Sequence, residues 1–186
     1  MLMTRWFVVF ALALPLLAQD RQIDTERSTI TIHVGKAGLL SAAGHEHWIN
    51  APISSGSVNE STPRVEFMVE TAKMRVKPDP KVDEKTQAQI QKDMETMTLD
   101  IEHYREIKFQ STSVAKVGAD TWRVTGTLSL HGVSKPVSFG VTRDAGAYTG
   151  KTVLKQTDFG IKPISVAGGT IKVKNEIDVE FRVFLK

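Results

Sequence analysis

Residues 177–186 read IDVEFRVFLK, and apolar and charged side chains alternate along most of this stretch. The apolar members would share one face of an extended segment: Ile177, Val179, Phe181, Val183 and Leu185. The charged members would share the other face: Asp178, Glu180, Arg182 and Lys186. A repeat of two residues is typical of a β-strand with one buried face and one solvent face. The stretch therefore predicts a long strand in the wall of a soluble β-protein with an apolar interior.

The same period of two recurs earlier in the chain, in residues 29–34, 65–69, 122–130 and 137–141. Between the last two stretches, His131 to Pro136 contains Gly132 and a proline that would interrupt a central strand ladder. We therefore predict a turn over these residues that joins the two strands into a hairpin. A second turn is predicted over residues 143–150, which are rich in Gly and Ala.

One segment, from Pro80 to Met97, has a helical period instead. Its apolar residues recur at helical spacing: Val82, Ile90, Met94, Met97 and Ile101. Asp79 and Pro80 have the residue types that favour an N-cap and a first helical position. The segment predicts an amphipathic helix that packs across the barrel and whose Met end borders a ligand entrance. An ordinary helix that only covers the core is the alternative.

Many antiparallel strands and one helix favour an all-β, mainly antiparallel fold. We predict an eight-stranded barrel with one inserted amphipathic α-helix, since closure removes the exposed edges of the sheet. A barrel of this size is either filled by side chains or wide enough for one small ligand. A filled barrel would be a structural or interaction module, whereas a hollow barrel would be a binding protein.

Composition narrows the function classes. The chain has 186 residues, 41% of them apolar and 24% charged, which is typical of one soluble globular domain. The net charge of +3 is not clustered, so we expect no nucleic-acid partner. There is no cysteine, which excludes disulfides, thiolate catalysis and Cys-built zinc sites.

The N-terminus has the pattern of a secretion signal. A basic start, Met1 to Arg5, precedes an apolar run from Trp6 to Ala18 that is too short to span a bilayer. We expect residues 1–18 to be a signal peptide cleaved near Ala18, and residues 19–186 to be one periplasmic or secreted domain. An uncleaved anchor that holds the same domain outside the cytoplasmic membrane is the alternative.

Four segments together resemble the YceI-like family of lipid-binding proteins. They are IDTERSTITIHVGKAGLLSAAGHEHWI (23–49), YREIKFQSTSV (104–114), WRVTGTLSLHGVSKPVSF (122–139) and QTDFGIKPISVAGGTIKVKNEIDVEF (156–181). The resemblance implies an extended lipocalin-like barrel that binds an isoprenoid or similar amphiphilic lipid in its interior, in the bacterial periplasm. It implies no catalysis and no cofactor. Transient membrane contact is compatible with such a ligand, and the oligomeric state is open, a homodimer included.

The predicted ligand site combines the large apolar residues of the inward faces with those of the helix. These are Phe67, Phe109, Phe139 and Phe181 on strands, and Met94 and Met97 on the helix. Near the rim, His45, His47 and Trp48 would recognise a polar head group, since a buried polar group without a partner costs about 1–3 kcal/mol.

His45 and His47 also allow two other interpretations. In an extended segment they project to the same side, which is the spacing that two imidazole ligands of one metal ion need. A third ligand would have to come from His33, His103, His131 or Glu46. Alternatively, the two imidazoles form hydrogen bonds with the backbone or with each other at the barrel rim. The sequence therefore leaves a periplasmic metal-binding protein as the second functional hypothesis.

Enzymatic motifs are incomplete. Ser41 precedes His45 and Ser129 precedes His131, but neither pair has a nucleophile-elbow motif or a third partner. Asp158-Phe159-Gly160 matches a kinase tripeptide, but no glycine-rich loop or catalytic loop accompanies it. We therefore expect no enzyme.

Overall fold

The computed structural model describes residues 20–38, 46–166 and 171–186. These residues form twelve β-strands: β1 Arg21–Gln22, β2 Thr29–Ala37, β3 His47–Asn50, β4 Ile53–Asn59, β5 Arg64–Glu70, β6 Arg75–Val76, β7 Glu106–Gly118, β8 Thr121–Leu130, β9 Val133–Asp144, β10 Ala147–Lys155, β11 Ser165–Val166 and β12 Ile171–Val183. Helix α1 spans Glu84–Asp93 and continues as a π-helical turn, Met94–Thr98. Short 3₁₀ turns cover Thr71–Lys73 and Gln156–Phe159.

The strands form a single curved sheet, and all pairings among the described residues are antiparallel. Its order is β1-β4-β5-β7-β8-β9-β10-β12-β2-β3-β6. Only Ala51 and Pro52 separate β3 from β4, yet β3 pairs with β2 and β4 pairs with β5. The bent segment 47–59 therefore joins the two sides of the sheet into a barrel.

The predicted fold class is confirmed. Counting β3 and β4 as one bent strand, and leaving out β1, β6 and β11 with two residues each, gives the eight strands of the predicted barrel. Strand β12 also follows the predicted alternation, since Ile177 and Val179 are half-buried whereas Asp178 and Glu180 are exposed.

The turn between β8 and β9 is shorter than predicted. It consists of His131 and Gly132, which have φ values of 50° and 74°, and β9 begins at Val133. Pro136 therefore lies inside β9, opposite Thr127 of β8. The pairing of β9 with β10 is confined to 142–144 with 147–149, so β9 has one neighbour at Pro136. A proline is tolerated at such an edge position because the missing N–H leaves no ladder bond unmade.

The predicted start of the helix was wrong. The N-cap is Asp83, whose carboxylate accepts a hydrogen bond from the Thr86 backbone N–H at 3.0 Å. Asp79 instead stabilises a separate turn, in which its side chain accepts from the Lys81 N–H at 2.9 Å. The carbonyl of Asp79 accepts from the Val82 N–H at 3.0 Å, and Val82 is buried there. The segment 80–83 is therefore a turn that precedes the helix.

The helical stripe also ends earlier than predicted. A π-helical turn adds a residue to each turn and so rotates the following side chains off the original face. Met94 at its start is 5% exposed, whereas Met97 is 65% exposed. The prediction that both methionines pack on the barrel was wrong for Met97.

Helix α1 has ten residues, and none of the helices in the described part of the chain has the length and apolar character of a membrane span.

Candidate ligand cavity

The inward faces of the strands enclose a cavity of about 580 Å³. Small-molecule sites in proteins usually measure about 300–1,000 Å³ and have mainly apolar walls. The walls here are mostly aliphatic and aromatic side chains from all eight long strands. The barrel is therefore hollow, which decides against the filled barrel that the sequence left open.

The cavity has two unlike ends. We call one the hairpin end, where the turns 60–63, 119–120 and 145–146 reverse the chain. We call the other the helix end, which carries α1, its π-helical turn and the 3₁₀ turn Gln156–Phe159. The long strands run from one end to the other. The position of a lining residue along its strand therefore gives its height between the two ends.

Four phenylalanines form an aromatic belt at mid-height of the cavity: Phe67, Phe109, Phe139 and Phe181. Consecutive ring centroids lie 5.4, 5.4 and 5.5 Å apart. Aromatic pairs at these separations attract each other beyond the effect of burial alone. Phe109 is 2% exposed, and the other three rings are half-buried because they border the cavity.

The belt depends on two glycines. Gly126 lies on β8, between Phe109 on β7 and Phe139 on β9, and a β-carbon there would lie 2.5 Å from Phe109 Cζ. Gly150 on β10 has the same relationship to Phe181, whose Cζ would lie 2.5 Å from an added β-carbon. Because neither glycine has a side chain, the rings can meet across the strands that separate them.

Buried apolar side chains lie at the helix end. Met94 and Leu99 from the π-helical turn and its C-terminus are 5% and 6% exposed. Phe159 and Ile161, from the 3₁₀ turn and the residues after it, are 2% and 4% exposed. Gln156 lines the cavity there, and its side-chain amide donates to the Lys174 carbonyl at 2.8 Å. The described part of this end presents no charged side chain to the cavity.

The hairpin end is charged. Among the described residues, the charged ones that line the cavity all lie there: Glu60, Arg64, Lys116 and Arg143. Tyr148 pairs with Arg143 across β9 and β10, and its hydroxyl donates a hydrogen bond to the Glu60 carboxylate. Glu60 also forms an ion pair with Arg21 of β1 at 3.7 Å. This end therefore has polar groups around an apolar interior.

The contact between Tyr148 and Glu60 affects the pKa of Tyr148. Partial burial raises the pKa of the Tyr148 phenol above its ordinary value, and the hydrogen bond to the Glu60 carboxylate raises that pKa further. Arg143 and Arg21 act in the opposite direction. The phenol is therefore a neutral hydrogen-bond donor at physiological pH.

The structure brings together five of the nine predicted ligand residues on the cavity wall: Phe67, Met94, Phe109, Phe139 and Phe181. Met97 lies outside the cavity. Trp48 also lies outside it, on the outer face, where it is 45% exposed and stacks on His33 with ring centroids 4.6 Å apart. Trp48 therefore does not line the barrel cavity, and its contact with a ligand remains a prediction.

The binding roles of His45 and His47 remain predictions. His47 lies opposite Val34, a cavity-lining residue, so its register places it on the inward face at the helix end. His45 lies outside the described residues. Among the described residues, no group of three or more His, Cys, Asp or Glu side chains could hold a metal ion.

The other histidines proposed as third ligands have separate contacts. His33 is on the outer face, where its ring nitrogens lie 3.2 Å from Asp178 and 3.3 Å from Glu46. The His103 ring lies 2.8 Å from Asp100, and this hydrogen bond raises the pKa of His103. The His131 ring packs against Tyr104 with centroids 4.2 Å apart.

Sequence reasoning missed the charged residues of the hairpin end. A signal for them exists, because the inward positions of β9 continue from Phe139 through Val141 to Arg143. Lys116 likewise follows Val114 on the inward face of β7. A cation at the end of an otherwise apolar inward face indicates a rim position.

Fold and cavity together define a hollow antiparallel barrel of the lipocalin-like type. The family model of the YceI-like domain matches residues 22–185. The chain belongs to the YceI-like family.

Relatives in sequence include UPF0312 proteins of Pseudomonas. The protein of Pseudomonas putida (strain W619) is 38% identical over 92 residues, which cover 44% of this chain and 47% of the relative. The protein of Pseudomonas fluorescens (strain SBW25) is 38% identical over 74 residues, or 34% and 38% of the two chains. The chain thus aligns with about half the length of the curated relatives that it matches.

Solved structures show the same fold. A polyisoprenoid binding domain from Saccharophagus degradans, implicated in plant cell wall breakdown, has a TM-score of 0.60 at 15% identity, covering 89% of this chain and 97% of that one. BcnA of Burkholderia cenocepacia has a TM-score of 0.57 at 15% identity, covering 87% and 98%.

Proposed function

We propose that this chain is a non-enzymatic binding protein that holds an isoprenoid or another long-chain amphiphile in the barrel cavity. The observation that carries the proposal is the hollow apolar interior with its aromatic belt. The structural neighbour from Saccharophagus degradans, described as a polyisoprenoid binding domain, supports the choice of ligand class. No metal or cofactor is part of the proposal.

The size of the hydrophobic effect is sufficient for such a ligand. Burial of ten to fifteen methylene-sized groups gains roughly 8–12 kcal/mol, at about 0.8 kcal/mol for each group. Part of this gain is offset by the ordering of a flexible chain on binding. The apolar wall therefore supplies enough affinity without a charge pair in the interior.

Contacts of the incomplete catalytic motifs support a binding role over catalysis. The Ser129 hydroxyl lies 2.7 Å from the Ser134 hydroxyl, its neighbour across the β8–β9 hairpin. The tripeptide Asp158-Phe159-Gly160 forms the end of a 3₁₀ turn, and Phe159 is buried against the barrel. Ser41 lies outside the described residues.

The proposed location is the periplasm or the extracellular space, after cleavage of residues 1–18. The support is the signal-like N-terminal pattern alone, because residues 1–19 lie outside the described part of the chain.

The test is mass spectrometry of an organic extract from protein purified from its native envelope, together with displacement of an apolar fluorescent probe. A matched pair of variants tests whether the extracted lipid and the probe occupy the cavity. Val179→Trp fills the interior, whereas Glu180→Trp adds the same ring to the outer face of β12. We expect the first variant to lose bound lipid and probe and the second to keep both. Equal binding by the two folded variants would contradict the proposal.

A further inference from the structure

Two neighbouring strands of the barrel wall, β9 and β10, are mostly unpaired with each other. β9 pairs with β8 along 133–142, and β10 pairs with β12 along 148–155. Between themselves, β9 and β10 pair only at 142–144 with 147–149. The rest of the two strands, residues 133–141 and 150–155, lies within the described part of the chain and forms no ladder. We call this stretch of the wall the β9–β10 seam.

The seam is bounded at both ends. At the hairpin end the strands are paired, and the Thr149 hydroxyl donates a further hydrogen bond to the Thr142 carbonyl at 3.2 Å. At the helix end, the 3₁₀ turn Gln156–Phe159 follows β10 directly. A β-carbon on Gly160, the residue after this turn, would lie 3.8 Å from Val133 Cγ2 at the start of β9. The seam is therefore a slot of limited length between two held ends.

The sequence of β9 opposes a complete ladder along the seam. Alternate residues of an antiparallel strand direct their backbone groups toward the same neighbour. Thr142 pairs with β10, so Gly140, Ser138 and Pro136 direct theirs toward β10 as well. Proline has no N–H to donate, so a ladder bond cannot form from Pro136.

Side chains close the seam on the cavity side. Gly140 and Gly150 still lie close together, since a β-carbon on Gly150 would lie 2.4 Å from the Gly140 carbonyl oxygen. The Phe139 ring of β9 reaches across β10 to the Phe181 ring, with centroids 5.5 Å apart in an edge-to-face arrangement. Leu154 of β10 lines the cavity farther along the seam. Side-chain packing therefore holds this part of the wall together.

The outer side of the seam carries an exposed apolar side chain. Val153 of β10 is 57% exposed. Its neighbour Thr152 borders the interior cavity and also a groove on the outer face, which Val153 and Trp48 line together with polar residues. At Thr152, a single residue therefore separates the outer groove from the cavity.

We propose that lipids enter and leave the cavity sideways, through the β9–β10 seam. The inference rests on the proposed function, because it assumes that a lipid occupies the cavity. Separation of two paired strands would break the backbone hydrogen bonds of their ladder, whereas separation along the seam breaks only side-chain contacts. Proteins open locally where few contacts hold neighbouring segments together. The seam is therefore the part of the wall that opens at the lowest cost.

A side portal has a kinetic signature. Uptake and release use the same opening, so a barrier at the seam slows both by the same factor. Kd is the ratio of the two rate constants, and it stays constant when both fall together. A distorted cavity would instead change Kd, because it alters the contacts of the bound lipid.

The experiment closes the seam with a cleavable crosslink. If the register of the last pairs is continued, Ser138 and Val153 lie opposite each other, and both are exposed. The chain has no cysteine, so S138C and V153C supply the only two thiols. A bismaleimide with a disulfide in its spacer joins them, and a reductant cleaves it.

The control crosslink spans two paired strands. T125C and S138C receive the same linker across β8 and β9, where the native hydroxyls lie 3.1 Å apart. If the first seam variant does not fold, G140C and K151C replace it, one step nearer the paired end of the seam. A β-carbon on Gly140 has nothing within 4 Å, so this substitution fits.

Stopped-flow fluorescence measures the uptake and release of an apolar fluorescent probe, and competition with geranylgeraniol gives the Kd of an isoprenoid. We expect the seam crosslink to slow uptake and release about tenfold or more while both Kd values stay within about twofold. Reductant should restore both rates. The control crosslink should leave the rates within about twofold of the uncrosslinked protein.

Three results would overturn the inference and leave the proposed function standing. Unchanged rates in the seam-crosslinked protein would show that lipids pass through an end of the barrel. Equal slowing by both crosslinks would show an effect of general stiffening. A changed Kd in the seam-crosslinked protein would show a distorted cavity. If neither the probe nor geranylgeraniol binds to the unmodified chain, the proposed function and this inference both fail.

Discussion

The ring of Phe109 covers the α-carbon of Gly126 on the neighbouring strand. A β-carbon on Gly126 would lie 2.5 Å from Phe109 Cζ and 2.4 Å from the Gln110 carbonyl oxygen. No side chain fits there, so the aromatic belt continues across β8 to Phe139, 5.4 Å away. Gly126 thus contributes to the cavity wall because its missing side chain leaves space for the Phe109 ring.

Gly126→Ala should lower the free energy of unfolding. The added methyl group must displace the Phe109 ring and press on a backbone carbonyl, and overpacking of this kind costs about 1–3 kcal/mol. In a chain of this size, each kcal/mol lowers Tm by roughly 2–4 °C, which thermal denaturation measures. Gly140→Ala is the control, since a β-carbon there has nothing within 4 Å. Equal Tm values for the two variants would refute the packing argument.

Met94→Ser and Met97→Ser should differ although they make the same chemical change. Met94 is buried on the cavity wall, so its loss should cost about 1–3 kcal/mol of stability and speed the release of a bound lipid. Met97 is exposed, so its variant should stay within about 0.5 kcal/mol of the parent. Stopped-flow measurement of lipid release, under conditions where both variants are folded, tests this. An unchanged release rate in Met94→Ser would show that Met94 does not control ligand release and that the helix only covers the core.

Tyr148 should titrate above the ordinary tyrosine pKa of about 10. Since burial and Glu60 raise the pKa in the folded state, folding favours the protonated phenol. Its contribution to stability is present below the unfolded pKa and is lost as the pH rises through the raised folded pKa. Phenolate absorbance in a Tyr104→Phe background isolates Tyr148, because the chain has two tyrosines.

Glu60→Gln in that background should lower the Tyr148 pKa, since the phenolate would no longer face a carboxylate. Glu180→Gln, on the outer face of β12, is the control and should leave the Tyr148 pKa unchanged. A Tyr148 pKa at or below the ordinary value in the parent would contradict the described contact.

Alternation of side chains predicts most of the barrel wall and the inward position of most of the phenylalanines that line it. Phe67, Phe139 and Phe181 lie in stretches with a period of two, and their inward position follows from that period. On β7, the strand of Phe109, a register shift between Ser111 and Ser113 interrupts the period. The same reasoning could not predict that the rings touch. Their contacts depend on Gly126 and Gly150, which belong to other strands, and a period on one strand carries no information about its neighbours.

Local signals were less reliable at the ends of elements. Asp79-Pro80 has the residue types of a helix start, but Asp79 and Val82 form a separate turn and the N-cap is Asp83. The segment with His45, His47 and Trp48 predicts that Trp48 helps to recognise a polar head group near the rim. Its cross-strand pairing with His33 places it on the outer face, and the sequence around Trp48 does not encode that register.

The central claim is that a lipid chain lies inside the barrel, and photocrosslinking tests it most directly. An isoprenoid with a photoreactive group along its tail is bound, irradiated and mapped by peptide mass spectrometry, with unlabelled isoprenoid as competitor. The account predicts competable adducts on the aromatic belt: Phe67, Phe109, Phe139 and Phe181. Adducts confined to the exposed outer face around Trp48 and Val153, with none on the belt, would contradict it.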